Sequence, residues 1–359
     1  MNEISANDLV VDMKTGWNLG NTLDATGTKS MSSETSWGMP KTTKAMIDGL
    51  ADYGIKTIRI PVSWSNHIID SKYTIDPAWM SRVKEIVDWA IGDGMYVIID
   101  DHHDNYGAAV GLTACKGYYP NSANYEESSN FLTNVWTQVA LAFNNGYDEH
   151  LIFETMNEPR LRGTDSEWNY SSTNELTVDA QKTINKLNQD CVDAIRKTGG
   201  NNAKRFIMIP GFAATPAAVL SDEFVLPKDK VEGKILISVH MYTPYSFAGQ
   251  SPGAKTFLPK MQNDFVLGFK KLNEKFVKNN VGVVIGEYGV VNKNNLEERV
   301  KYFTAYLKFA KQYNLCPILW DNGQWKVSEG STNYSEKFGY YNRKDQTWYF
   351  PEISELLVQ

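Results

Sequence analysis

The sequence predicts an α/β fold, a (β/α)8 TIM barrel forming a single domain over 1–359, and three observations carry that prediction. Eight short apolar runs alternate with amphipathic helical stretches, and parallel neighbouring strands need such crossovers. The runs are apolar nearly throughout rather than at every second residue, as strands buried on both faces are. Polar residues gather at their C-terminal ends: Arg59, His102, Glu158, His240, Glu287 and Trp320. A barrel opens all of those ends on one face, where its loops build the site. A doubly wound open sheet is the competitor, but its ligand sits behind a Gly-rich first turn, and no GxGxxG opens the first helix here.

The elements follow in order. The first strand is read over 16–21, before a polar loop that runs through Trp37. A helix over 42–53 sets Met46, Ile47, Leu50 and Tyr53 on one face and stops at Gly54. The second strand, 57–62, is apolar apart from Arg59. Asp76 is a candidate N-cap with Pro77 at the first helical position; Trp79, Val83, Ile86, Val87 and Ala90 share a face until Gly92 or Gly94. The third strand, 96–100, runs into Asp101-His102-His103-Asp104. A helix over 128–143 leads to the fourth, 151–159, an apolar run that ends in Asn157-Glu158-Pro159. The longest helix, 174–197, precedes strands at 206–210 and 235–240. A helix over 265–278, a strand at 283–287, a helix over 296–313 and a strand at 317–320 complete the ring, with a closing helix over 353–358. Loop insertions are read at 105–127 and 160–172.

Composition narrows the function. The chain is 42% hydrophobic and 22% charged, enough apolar material for one large core. A net charge of −6 without a basic run speaks against a nucleic-acid partner. No run of about 18 apolar residues exists, so no membrane span is expected. The three cysteines, Cys115, Cys191 and Cys316, have no CxxC spacing and read as structural thiols. No signal-peptide pattern precedes the first element.

Glu158 and Glu287 end the fourth and seventh strands, which a barrel brings to one pocket. Taken alone, either reads equally well as a rim salt bridge. Together they suit glycoside hydrolysis, in which one carboxyl donates a proton to the leaving oxygen and the other attacks or activates water. The nucleophile has to be ionised, which a neighbouring cation or hydrogen-bond donor favours. The acid has to be protonated, so the pKa of whichever glutamate plays that part is expected to rise through burial and the like charge of the other.

Six motifs in order then carry a specific resemblance: Ile58-Arg59-Ile60-Pro61, Asp101-His102-His103, Asn157-Glu158-Pro159, His240-Met241-Tyr242, Ile285-Gly286-Glu287-Tyr288 and Leu319-Trp320-Asp321-Asn322. The chain resembles glycoside hydrolase family 5. The stretches 16–24, containing Asn21, and 34–38, containing Trp37, are similar to its bacterial endoglucanase branch, often called subfamily 4. The resemblance implies β-1,4-glucan cleavage with retention and no cofactor or metal. It implies Glu158 as acid/base, Glu287 as nucleophile and Asn157 on the sugar 2-hydroxyl. Arg59 stands beside the nucleophile; His102, His240 and Tyr242 form the polar shell, with His103 the ambiguous second His of its pair. Trp320 is the stacking platform, and Asn21 and Trp37 join as substrate-binding candidates. Asp100-Asp101 stands where relatives often carry a neutral residue.

Asp101-His102-His103-Asp104 also reads as a metal site, but neighbours on a strand face opposite ways, which speaks against one shared ion. Trp79, Trp89 and Trp136 fall in helices and are expected to pack the barrel; Trp37, Trp168, Trp325 and Trp348, and more weakly Tyr118-Tyr119, lie nearer loops as subsite candidates. His67 and His150 are expected to be surface or structural. The function expected is a secreted, monomeric, retaining endo-β-1,4-glucanase acting on a β-glucan. The same chemistry on xyloglucan, mixed-linkage glucan, mannan or xylan is the alternative. A non-catalytic carbohydrate-binding barrel is disfavoured because both glutamates are present.

Overall fold

Eight parallel strands close on themselves in chain order, β1-β2-β3-β4-β5-β6-β7-β8 and back to β1. They are β1 Gly16–Asn18, β2 Thr57–Ile60, β3 Tyr96–Asp100, β4 Leu151–Glu154, β5 Ile207–Pro210, β6 Ile235–His240, β7 Gly282–Tyr288 and β8 Leu315–Leu319. The computed structural model describes residues 1–106 and 117–359. Every residue of these eight strands is buried, which explains why the runs read as continuously apolar.

The helices are α1 Ala6–Met13, α2 Lys44–Tyr53, α3 Pro77–Gly92, α4 Tyr125–Ala142, α5 Glu175–Lys197, α6 Pro216–Leu220, α7 Tyr245–Ala248, α8 Gln262–Lys275, α9 Leu296–Gln312 and α10 Pro351–Leu357. A short hairpin pairs β9 Tyr341–Asn342 with β10 Thr347–Trp348. The capping signals act as read. Asp76 accepts from Ala78 N at 2.8 Å, and Gly54 ends α2 with φ of +108°, where a side chain would be strained. The sequence reading missed α1, α6, α7 and the hairpin, all too short to show a helical or alternating period.

Two apolar layers result. The larger lies between the strands and the outer helices. The smaller fills the lower barrel, where Leu9, Val10 and Met13 of α1 pack against Ile98, Ile152, Met208, Leu236, Val284 and Ile318. With that end plugged by α1, polar side chains occupy the other. Among the described residues no helix is long and apolar enough to cross a membrane. Cys191 and Cys316 are buried free thiols, as expected; Cys115 and most of the first half of the insertion at 105–127 lie outside the described residues.

Candidate active site

The site is built around Arg59. It lies within β2 and is fully buried, so each guanidinium donor needs a partner. Nε donates to Glu154 Oε2 at 2.6 Å. Nη1 donates to Asn18 Oδ1 at 3.0 Å and Glu287 Oε1 at 3.1 Å. Nη2 donates to Asp100 Oδ2 at 2.7 Å and Asn157 Oδ1 at 2.8 Å. Burial alone opposes the charge, but the carboxylates of Glu154, Asp100 and Glu287 outweigh it and hold the guanidinium pKa above its ordinary value. In return, burial raises the carboxyls of Glu154 and Asp100 (the latter to about 6), with Arg59 opposing.

Glu154, Asp100 and Asn18 were missed as site residues. The signal was a polar residue inside an otherwise apolar strand, which has to aim at a buried partner. Asp100 also accepts from Val62 N at 2.9 Å and lies 2.7 Å from His102 Nδ1, so its negative charge belongs to the Arg59 cluster. Asp101 differs. It is buried with no donor on either carboxylate oxygen among the described residues, and burial followed by the charge of Asp104 lifts its pKa well above the carboxylate range. The adjacent acids therefore do different things.

Glu158 stands four residues beyond the end of β4, not on the strand as read. The extension stays registered because Thr155 N donates to Met208 O at 3.0 Å and Asn157 N to Asp101 O at 2.9 Å. Glu287 lies in β7, where the pairing shifts register against both β6 and β8. Such irregularities re-aim a side chain relative to the regular pleat. Asn18 Nδ2 bonds Gly286 O at 2.9 Å and supports the irregular segment.

His240, at the end of β6, joins the two acids. Its Nδ1 is 2.8 Å from Glu158 Oε1 and 3.6 Å from Glu287 Oε2. One oxygen of each glutamate and one His240 nitrogen all fall within 4.8 Å of one another. Tyr242 donates to Glu287 Oε2 at 2.8 Å, so both oxygens of Glu287 are engaged. The expected rise of the Glu158 pKa does not occur. Burial does push it up, but the hydrogen bond and charge of His240, with Arg160, win and bring it down to about 2. His240 is raised above the usual imidazole value, burial being outweighed by the charges of Glu287 and Glu158. Glu287 is raised by burial and by Glu158, against His240, Arg59 and Tyr242. In the unliganded site the proton therefore rests on His240, one short hydrogen bond from Glu158.

The aromatic walls separate into two sides. Trp320 is 8% exposed, and its ring lies parallel to His102 at 5.8 Å and 3°. Gly20 permits this, since a Cβ there would meet the Trp320 ring at 2.8 Å. Asp321 fixes the following loop by accepting from Trp17 Nε1 at 2.8 Å and Tyr341 N at 2.8 Å. His103 sits 4.4 Å from His102, and Trp37 lies 5.4 Å from His103. The Trp37 loop is tied down by buried Glu34, which takes Arg82 Nη2 at 2.7 Å and Thr42 N at 2.8 Å. Asn21 joins this wall through its backbone, φ +56°, whose N–H bonds Asp24 Oδ2 at 3.1 Å. On the acid side, Arg160 reaches the Glu158 carbonyl at 3.0 Å and its carboxylate at 3.7 Å, and stacks under exposed Trp168 at 4.0 Å.

Several expectations need correction. His102 and His103 lie beyond β3, so strand alternation does not separate them; with Asp24 they bring one ligand atom each within 4.8 Å. Burial holds both imidazoles well below the ordinary pKa, and neutral rings suit either a metal or a sugar hydroxyl. His102 stacks on Trp320 and His103 meets Trp37 at a tilt of 50°, which ties both to the aromatic wall. Trp348 is wedged between Tyr53 and Tyr341 at 5.1 and 5.0 Å, and Tyr118 and Tyr119 are buried, so these are packing residues. Trp325 stays exposed beside Tyr349. Trp79 and Trp136 are core, Trp89 is half-buried beside Arg82, and His67 stacks on Trp79 at 3.6 Å. His150 is half-buried and stacks on Tyr96 at 4.5 Å, a structural placement as expected.

Comparison with known proteins agrees with the constellation. The model of the cellulase family, glycosyl hydrolase family 5, matches residues 22–326. Endoglucanase B of Ruminococcus albus is 42% identical over 358 residues, covering 99% of this chain and 81% of that protein. Endoglucanase 1 of the same organism is 43% identical over 99% of the chain and 81% of its own length. A broad-specificity GH5-4 endoglucanase from Ruminococcus champanellensis, solved with cellotriose, superposes with a TM-score of 0.90 at 39% identity, covering 100% and 99% of the two chains. A family 5 lichenase from a Caldicellulosiruptor species, solved with cellotetraose, gives 0.92 at 41% identity, covering 100% and 96%. Arg59 gripping one of two glutamates at the open end of this barrel, and a family match that runs from the β1 loop to beyond β8, lead to one conclusion: the chain belongs to the cellulase family, glycosyl hydrolase family 5, and is a glycoside hydrolase.

Proposed function

We infer that the protein is a retaining endo-β-1,4-glucanase. The observation that carries the reading is the triad Glu158–His240–Glu287, each of which brings one side-chain atom within 4.8 Å of the other two, with Glu287 held by Arg59 and Tyr242. Retaining sites place their carboxyl groups about 5–5.5 Å apart and inverting sites about 6.5–9.5 Å. The close spacing supports double displacement.

In that mechanism Glu287 is the nucleophile. Substrate binding excludes water, which disfavours the His240–Glu158 ion pair, and the shared proton crosses to Glu158. Glu287 attacks the anomeric carbon as Glu158 protonates the leaving oxygen; the glycosidic C–O bond breaks and the glycosyl ester forms. The negative charge of Glu287 is now gone and Glu158 is ionised. Glu158 takes a proton from water as that water attacks the anomeric carbon, the ester C–O bond breaks and Glu287 is freed. Asn157 spends its Oδ1 on Arg59, which leaves the amide N–H₂ to donate to the sugar 2-hydroxyl.

The similarity to a lichenase supports mixed-linkage glucan as a further substrate. Monomeric action outside the cell is proposed with it, because the substrate is a polymer. Reducing-sugar release from carboxymethylcellulose, lichenan, xyloglucan, glucomannan and xylan, with NMR of the first-formed anomer, tests the reading. β-Product and loss of about 10³-fold or more in Glu158→Gln and Glu287→Gln are expected. α-Product, or variants as active as the parent, would overturn it.

A further inference from the structure

Behind the nucleophile strand, the loop from β7 into α9 carries two fully buried cations, Lys293 and Arg299. Arg299 is in the first turn and a half of α9; Lys293 lies just before that helix. The faces of the Arg299 guanidinium are covered by Phe350 at 4.3 Å and Tyr340 at 5.0 Å. Its edge is not covered: Nε, Nη1 and Nη2 are all buried and have no hydrogen-bond partner among the described residues. The Tyr340 hydroxyl accepts from Val290 N at 2.9 Å and donates to Val290 O at 2.8 Å; its one remaining lone pair faces the guanidinium and can meet at most one of the five N–H groups. Lys293 Nζ donates to Phe247 O, and no carboxylate pairs with it or with Arg299 among the described residues. The nearby acid Glu298 is used elsewhere, by Phe257 N at 2.6 Å and Lys301 at 2.5 Å.

Two buried cations without a counter-charge are costly. Lys293 can relieve part of that cost by losing its proton: burial, then the charge of Arg299, lowers its pKa to about 8. Arg299 has no such option, because guanidinium stays protonated in proteins. The N-terminal end of α9 adds partial positive charge in the same place.

We propose that Arg299 and Lys293 together form a buried binding site for a small monovalent anion of the halide class, chloride in ordinary buffers. The occupant is small and weakly hydrated, because the site is enclosed by aromatic rings and offers N–H donors only at an edge. A divalent oxyanion would surrender far more hydration than these two side chains return. The bound anion would brace the segment after Glu287, whose residue Val290 is clasped by Tyr340, while taking no part in the chemistry.

The test uses the whole chain. Thermal unfolding is followed in sodium chloride and in sodium gluconate at matched ionic strength, and a crystal soaked in sodium bromide is examined by anomalous scattering. The parent should gain about 3 °C as chloride rises to a hundredfold its dissociation constant, with no matching gain in gluconate. Arg299→Met should lose the chloride-specific gain, and Lys293→Met should weaken it. Bromide should appear in contact with both side chains, a result that needs no variant. Equal melting curves in the two salts, or bromide found only elsewhere, would overturn the proposal and leave the guanidinium edge to internal water.

Discussion

His240 Nδ1 lies 2.8 Å from Glu158 Oε1, and the shared proton rests on the imidazole side of that contact. In the proposed mechanism the acid is thus a pair. Below the raised His240 pKa the pair holds its proton; above it the pair is empty and the first step has no donor. The basic limb of kcat/KM should therefore lie above the ordinary imidazole pKa of 6.5. In His240→Asn, Glu158 loses the partner that depresses it, and burial with the Glu287 charge pushes its pKa up. The basic limb should move to the value of Glu158 itself, and kcat should fall about 10²–10³-fold. A pH–rate profile of the variant whose basic limb coincides with the parent's would remove His240 from the proton path. The sign of the stability effect follows from the same shifts. The contact contributes most between pH 4.5 and 6.5, fading above through the raised His240 pKa and below toward the depressed Glu158 value.

Arg59 supports a second prediction. Five donors meet Glu154, Asn18, Glu287, Asp100 and Asn157, and three of those partners are carboxylates. Arg59→Met leaves these buried acids without their cation, which costs about 3–5 kcal/mol. Arg59→Lys keeps the charge but has no planar fork, so it should recover part of the stability and little of the activity. Urea unfolding with kcat/KM measured on both variants checks this. Lysine restoring full turnover would show that charge alone is required.

How far the site could be read in advance depends on where each residue stood. Glu287, His240 and Arg59 were visible because a polar residue closed or interrupted an apolar run. Glu154 interrupts a run in the same way, four residues before Glu158. Only the structure shows that Arg59 binds Glu154 at 2.6 Å while Glu158 turns to His240. The protonation state of Glu158 was not legible, since it depends on a 2.8 Å contact between residues 82 positions apart. The eight strands emerged clearly from their burial on both faces, whereas α1, only eight residues long, was hidden although it plugs the barrel. Trp348 shows the limit of loop position as a guide: β10 is too short to recognise, and its tryptophan packs between two tyrosines.

Trp168 is exposed and rests at 4.0 Å on Arg160, which reaches the Glu158 carboxylate at 3.7 Å. That position suits the leaving part of the glucan. Trp168→Ala should raise KM for long oligosaccharides and polymer about 3–10-fold, the worth of one stacking contact. An aryl cellobioside, whose leaving group is a single ring, should be affected less. Equal loss on both substrates would place the role of Trp168 in holding Arg160 rather than sugar.

Gly286 provides the narrowest test of geometry. It precedes Glu287, the proposed nucleophile, and its backbone has no positive φ, so alanine can adopt its conformation. The obstacle is space: a Cβ there would meet His240 Nε2 at 3.1 Å and Ser238 Oγ at 3.3 Å. Ser238 is held by Glu154 Oε1 at 2.6 Å, so the imidazole has to give by a few tenths of an ångström. A displacement of about 1 Å in an active site costs about 10²-fold, and one of this size should lower kcat about 3–10-fold. Folding should be nearly unchanged, and the pH profile should shift because the His240–Glu158 contact lengthens. Circular dichroism melting and a pH–kcat series on Gly286→Ala separate the two effects. A variant that loses stability and turnover together, with an unmoved pH profile, would show that the glycine serves β7 packing and not the placement of His240.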